Sequence, residues 1–293
     1  MSPSLPPDRD HQRSLRQRVA ADVELHVAEA GRGAPLLLLH GFPDNGDLWT
    51  PLVSALGATH RLWMPDLRGY RHSDKPADVA DYAIDHLVAD VAALADAMVG
   101  RSPGRVTLAG HDWGGMLAWA FAARHPERVE RLIVFNAPHP SRLAELLRDD
   151  PAQREASSYM QRLRAPGAEA VLAAEGHARL RALVRHSLPT LPDAELDALA
   201  AGWAQPGALT AMLNWYRANA LPGLTRSSGR IDAPTLLLWG EQEGSFVPAN
   251  LDGLDRWVPR LTLRRFADAG HWLPREQPDE VARAMIAFLS ESH

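Results

Sequence analysis

The segment Val106-Thr107-Leu108-Ala109-Gly110-His111-Asp112-Trp113-Gly114-Gly115 constrains this chain more than any other. A short apolar run ends in Gly-His-Asp-Trp-Gly-Gly, and an alanine-rich, helix-prone stretch from Met116 to Arg124 follows without a gap. Strand, abrupt turn, helix is the reading. Glycines two residues before and two after the centre let a strand and a helix pack closely around a strained turn. The apex, Asp112, is then pushed out at the strand's carboxyl end, as in a nucleophile elbow with aspartate at its tip. A carboxylate is ionised at neutral pH without help from a base. It attacks alkyl carbon and gives an ester that must afterwards be hydrolysed. Taken alone, the same residues also describe an aspartate capping a helix in a Gly-rich turn. The rest of the chain decides between the two.

Strand and helix signals alternate on both sides of this turn. Strand-like alternation runs from Leu15 to Ala30 through Val19, Val23, Leu25 and Val27, after an arm, Met1 to Gln12, that reads as loose. Leu36 to Leu39 is wholly apolar, as a central strand should be, and ends in His40-Gly41-Phe42-Pro43. A helix is expected over Asp47 to Leu56, a strand over Leu62 to Met64, a helix over Ile84 to Met98 and a strand over Val129 to Phe135. From Leu143 to about Leu224 alternation stops, and helical segments are broken by Pro151, Pro166, Pro189, Pro192 and Pro206. It resumes with a strand over Thr235 to Trp239, a helix over Ala249 to Trp257, a strand over Leu261 to Phe266 and a helix over Pro278 to Ser290. The pattern implies an α/β fold, a mostly parallel sheet covered by helices on both faces, with a helical lid inserted after the sixth strand. Residues 1–138 and 228–293 are expected to form the core, and 139–227 the cap. Loops at the carboxyl ends of such strands converge on one site, and the motifs lie at those ends or in the lid.

Composition excludes several functions. The 293 residues are 46% hydrophobic with a net charge of −5, and no basic cluster suggests a nucleic-acid face. There are no cysteines, so disulfides, thiolate catalysis and cysteine-based zinc sites are out. The first residues lack a long apolar core, and no apolar run reaches membrane-span length. A cytoplasmic protein without membrane or nucleic-acid partner is expected.

If Asp112 carries an ester, its hydrolysis requires a base for water and a carboxylate to orient that base. The last strand leads into Asp268-Ala269-Gly270-His271-Trp272, which places His271 at the same sheet edge. The strand before it leads into Trp239-Gly240-Glu241-Gln242-Glu243. Glu243, farther past the strand, is better placed to turn toward His271 than Glu241, which stands as the alternative; Asp268 reads as structural. An oxyanion hole needs two backbone N–H groups. Trp113, following the nucleophile, offers one, and Phe42 offers the other.

With these motifs, and with Asp66-Leu67-Arg68-Gly69-Tyr70 and Asn136-Ala137-Pro138-His139-Pro140, the chain resembles the epoxide hydrolases of the α/β-hydrolase superfamily, from about Leu15 to the last helix. The order nucleophile, acid, histidine is also that superfamily's. The resemblance implies two lid tyrosines that hold and protonate the epoxide oxygen. Tyr159, shortly before Pro166-Gly167, and Tyr216, within Asn214-Trp215-Tyr216-Arg217, match them among only four tyrosines in the chain. An opening epoxide leaves as an alkoxide, which a placed phenol assists; a halide needs no proton. Three positions depart from the family pattern. Glu243 stands where aspartate is usual, Arg71 follows Tyr70 where glycine is usual, and the residues from Ala173 to Ala208 match nothing specific.

The resemblance therefore implies conversion of small apolar epoxides to vicinal diols, with no metal or organic cofactor and with a homodimer as an open option. The alternative is a haloalkane dehalogenase with the same Asp-His-Glu triad; Trp113 suits it, but Phe42 stands where such enzymes carry asparagine. A serine esterase is disfavoured by Asp112. A binding protein on a hydrolase scaffold has no use for nucleophile, base, acid and two phenols together.

Overall fold

The computed structural model describes residues 13–220 and 229–291. The expected N-terminal arm, and the second core–cap boundary at 227/228, lie outside the described residues.

Eight strands form one sheet in the order β1-β2-β4-β3-β5-β6-β7-β8. They are β1 (Arg13–Ala20), β2 (Val23–Gly31), β3 (Ala34–Leu39), β4 (His60–Pro65), β5 (Val106–His111), β6 (Val129–Phe135), β7 (Thr235–Gly240) and β8 (Leu261–Phe266). The alternation from Leu15 to Ala30 thus spans two antiparallel strands, joined at Ala21-Asp22. β2 also pairs antiparallel with β4, and every later pair is parallel. Parallel strands need crossovers, so helices cover both faces and the central strands lose all contact with water. Leu36 to Leu39 are fully buried, as is the whole of β5. Pairing of Leu39 with Gly110, His111 with Phe135 and Gly240 with Phe266 brings the carboxyl ends of β3, β5, β6, β7 and β8 to one edge.

Helices α1 (Val53–Leu56), α2 (Ile84–Val99) and α3 (Trp113–Arg124) precede the excursion. Among the described residues, six follow β6 and precede β7: α4 (Pro140–Asp149), α5 (Pro151–Ala156), α6 (Tyr159–Arg164), α7 (Ala168–Ser187), α8 (Asp193–Trp203) and α9 (Ala208–Ala218). After β8 come the one-turn helix α10 (Leu273–Glu276) and the longer α11 (Pro278–Ser290). Among the described residues no helix is long and apolar enough to cross a membrane.

Two expected helices differ. Over 47–56 most of the segment is a 3-10 helix, Gly46–Leu52, and only Val53–Leu56 is α-helical; Pro51 lacks the N–H that an α-helix there would use. Over 249–257 there are two 3-10 turns, Pro248–Leu251 and Leu254–Arg256, separated by Gly253 at φ +65°. A glycine in the left-handed region interrupts a helix that the spacing of Leu251, Leu254 and Trp257 otherwise suggests.

Candidate active site

β5 and α3 meet at Asp112, whose φ of +52° and ψ of −119° are strained for a residue with a side chain. The turn is possible because α3 lies almost on top of β3: a Cβ on Gly114 would sit 2.2 Å from the Leu39 carbonyl oxygen. The strain has a consequence. It aims the Asp112 carboxylate at the loop that follows β3, where the Phe42 N–H donates to Oδ1 at 2.7 Å. The Trp113 N–H also stabilises this carboxylate. Gly41 makes the approach possible, since a Cβ there would lie 2.3 Å from Oδ1. The two expected oxyanion donors thus hold the Asp112 carboxylate itself. Burial nonetheless pushes the Asp112 carboxyl above its ordinary value, against the opposing effects of His271 and the two N–H groups.

His271 stands beside it, with Nε2 3.7 Å from Asp112 Oδ2. Its Nδ1 donates to Glu243 Oε2 at 2.6 Å. Burial disfavours the imidazolium, but the carboxylates of Glu243 and Asp112 outweigh it and push the ring up to about 9. Glu243 is buried and held below its usual range: desolvation opposes ionisation, while His271, the Ser245 N–H at 2.7 Å and the Asn136 amide at 2.9 Å favour it. Glu241 points away and pairs with Arg265 at 2.6 Å, and Asp268 is exposed. The structure therefore brings Glu243, and not Glu241, to His271.

Three further residues hold this group. Glu276 on α10 accepts the Gly270 N–H at 2.7 Å and the Trp272 N–H at 2.8 Å, so its carboxylate clasps the backbone on both sides of His271. His111 donates from Nε2 to the His271 carbonyl at 2.7 Å. Burial pushes the His111 ring down to about 3, so it is neutral there. Asn136, at φ +43°, also bonds the Gly240 backbone, linking the ends of β6 and β7. His111 and Asn136 stood within the motifs without an assigned role. Glu276 carried one signal, a carboxylate five residues beyond the histidine on the next helix.

Above these groups opens a cavity of about 840 Å³, lined among others by Phe42, Tyr159, Tyr216, Glu243 and His271. Tyr216 is buried on α9 and stands edge-on to Phe42 and Trp113, with centroids 5.4 and 5.0 Å away. Tyr159 begins α6. Burial first, and the charge of Asp112 second, push both phenols above their ordinary value, so they are protonated donors. Leu163, Leu172, Leu180 and Leu183 supply much of the apolar wall. The departure at Arg71 resolves locally: its φ is +39°, the conformation for which glycine is the usual choice, and its guanidinium pairs with Asp47 at 2.8 Å.

A carboxylate on a strand–helix elbow, a histidine–glutamate pair beside it and two phenols lining the same cavity at the edge of an α/β sheet suit a hydrolase. A profile of the α/β-hydrolase fold family matches residues 34–278. Epoxide hydrolase 3 of Mus musculus is 34% identical over 280 residues, covering 93% of this chain and 75% of that protein. Epoxide hydrolase 4 of Mus musculus is 36% identical over 278 residues, covering 91% of this chain and 76% of that one. The crystal structure of the Bacillus megaterium epoxide hydrolase in complex with an inhibitor superposes with a TM-score of 0.87 at 32% identity, over 95% of this chain and 100% of that one. The chain belongs to the α/β-hydrolase family, within its epoxide hydrolase branch.

Proposed function

We propose that this protein opens apolar epoxides to vicinal diols through a hydroxyalkyl ester on Asp112. The carrying observation is the meeting in one cavity of two phenols, Tyr216 buried and Tyr159 partly so, with a His271–Glu243 pair, 3.7 Å from the Asp112 carboxylate. Tyr159 and Tyr216 hold the epoxide oxygen while an Asp112 oxygen attacks a ring carbon from the opposite side. The C–O bond breaks, its electron pair passes to the oxygen, and a phenol supplies the proton. His271, oriented by Glu243, then takes a proton from water, and the hydroxide attacks the ester carbonyl. The Phe42 and Trp113 N–H groups, already directed at Asp112 oxygens, stabilise the tetrahedral oxyanion. Collapse releases the diol and restores the carboxylate. The helices from α4 to α9 act in this reading as a cap domain, expected over 139–227, that carries the phenols to the core, and the leucine-rich wall suits an apolar substituent.

Intact-protein mass spectrometry of His271→Gln, incubated separately with an aryl epoxide and a bromoalkane, tests the reading. An adduct with the whole mass of the epoxide, mapped to Asp112, is expected. An adduct equal to the bromoalkane less hydrogen bromide, with none from the epoxide, would make the protein a dehalogenase. Adducts from neither would overturn both.

A further inference from the structure

Arg164, the last residue of α6, is a half-buried cation with no anion among the described residues. Its Nε donates to the Tyr216 carbonyl at 2.8 Å. It borders a separate void of about 20 Å³ that shares Tyr159 and Tyr216 with the main cavity. The other described residues around that void are Trp113, Met116, Leu143, Met160 and Phe246, so Arg164 is its one charged neighbour among the described residues. Among the described residues no carboxylate pairs with it. Arg217 on α9 shows the contrast, since Glu169 cancels its charge at 2.6 Å. A guanidinium keeps its proton in such surroundings. Burial without a counter-ion is costly, and holding a backbone carbonyl needs only a neutral donor.

The chemistry at Tyr159 and Tyr216 supplies a use for that charge. Burial and the Asp112 carboxylate both make the phenols harder to ionise. Ring opening asks the reverse: as the C–O bond breaks, a phenol gives its proton to the leaving oxygen and negative charge grows on the donor. A fixed cation in an apolar setting favours that state and needs no rearrangement to do so. The fields of Arg164 and the two phenols already interact. We infer that Arg164 is a positioning residue for ring opening: anchored to the Tyr216 carbonyl, its uncancelled charge makes Tyr159 and Tyr216 better proton donors to the epoxide oxygen. The proton leaves phenol oxygen for alkoxide oxygen, and the phenolate recovers one when water adds to the ester. This rests on the proposed role of the two tyrosines.

The test is the rate of ester formation in the His271→Gln background, followed by intact mass, with Arg164→Gln or Arg164→Lys added. Arg164→Gln keeps a donor for the Tyr216 carbonyl and loses the charge; Arg164→Lys keeps the charge. The glutamine variant should form ester at least about tenfold more slowly, equivalent to one pKa unit on the donor. The lysine variant should recover most of the rate. With native His271, ester hydrolysis should be unchanged by Arg164→Gln, and phenolate absorbance should appear at higher pH. Thermal unfolding of each variant checks that the fold is kept. If Arg164→Gln forms ester at the parent rate, the inference fails while the proposed function stands. A slowing of equal size in a Tyr159→Phe/Tyr216→Phe background would also overturn it, because no phenol would then mediate the effect. If the parent His271→Gln forms no ester from any epoxide, the proposed function and this inference fall together.

Discussion

Replacing Asp112 by asparagine should lower the pKa of His271 from about 9 to about 7–8. The carboxylate favours the imidazolium, so its removal favours the neutral ring and moves the titration downward. The size follows from geometry. At 3.7 Å and an effective dielectric constant of about 20, one unit charge is worth about 4 kcal/mol, or about 3 pKa units, as a ceiling. Glu243 stays in contact at 2.6 Å and keeps part of the upward shift. Water in the cavity screens part of the remainder, which leaves about 1–2 units. The same charge disappears when Asp112 becomes an ester. An imidazolium with a pKa near 9 cannot take a proton from water at neutral pH, whereas a ring near 7 can. Formation of the ester would thus convert His271 into the base that the next step needs. Long-range proton–nitrogen NMR on the labelled imidazole, across pH in both proteins, measures the shift directly. A His271 pKa unchanged in Asp112→Asn would refute the reasoning and assign the shift to Glu243 alone.

Glu276→Ala should slow ester hydrolysis by about ten- to a hundredfold and leave ester formation near its original rate, because only the second step needs the His271 ring in register. Rapid-quench measurement of the two steps decides; equal losses in both would mean that Glu276 only supports the fold. Arg275→Met should lower thermal stability. Arg275 makes two 3.0 Å bonds to Asp44, which is 3% exposed, and one to Glu195 on α8. Breaking one side of a buried pair costs about 3–5 kcal/mol, so calorimetry should show a melting point about 10 °C lower. An unchanged midpoint would mean that water reaches Asp44.

The groups of the candidate site were legible because each belongs to a short local pattern. An apolar run followed by glycines marks the elbow at Asp112, and strand ends mark Phe42, Glu243 and His271. Fold class followed from the alternation of periods, which needs no tertiary information. Apart from the place of Glu276 five residues beyond His271, the supports of the site were not legible. Glu276 and His111 act on backbone N–H and C=O groups of the His271 loop. Every residue carries such groups, so these contacts leave no pattern in the partner. Asn136 and Glu243 lie 107 residues apart and meet only because β6 and β7 are neighbours. The helix expected over 249–257 failed for the converse reason: its apolar spacing is genuine, but Gly253 turns the backbone.

Buried polar contacts, besides the apolar wall of the cavity, tie the helices that carry Tyr159 and Tyr216 to the loops around Asp112. Gln153, fully buried on α5, donates to the Ser245 carbonyl at 3.1 Å and accepts from the Val247 N–H at 3.0 Å and the Asn250 amide at 2.6 Å. The helix that leads to Tyr159 is therefore fastened to the loop that carries Glu243. On the other side, Trp215 donates to the Arg68 carbonyl at 2.9 Å, one residue before Tyr216. Trp203 donates to the Pro43 carbonyl at 2.7 Å, one residue after the Phe42 donor. Apolar packing tolerates sliding, because dispersion is non-directional and many arrangements bury the same area. A buried donor displaced from its acceptor costs about 1–3 kcal/mol, so these contacts penalise small shifts of α5, α8 and α9. In the proposed mechanism, proton donation to an epoxide oxygen attacked from the opposite side needs that restraint, since misplacement of about 1 Å can cost a hundredfold.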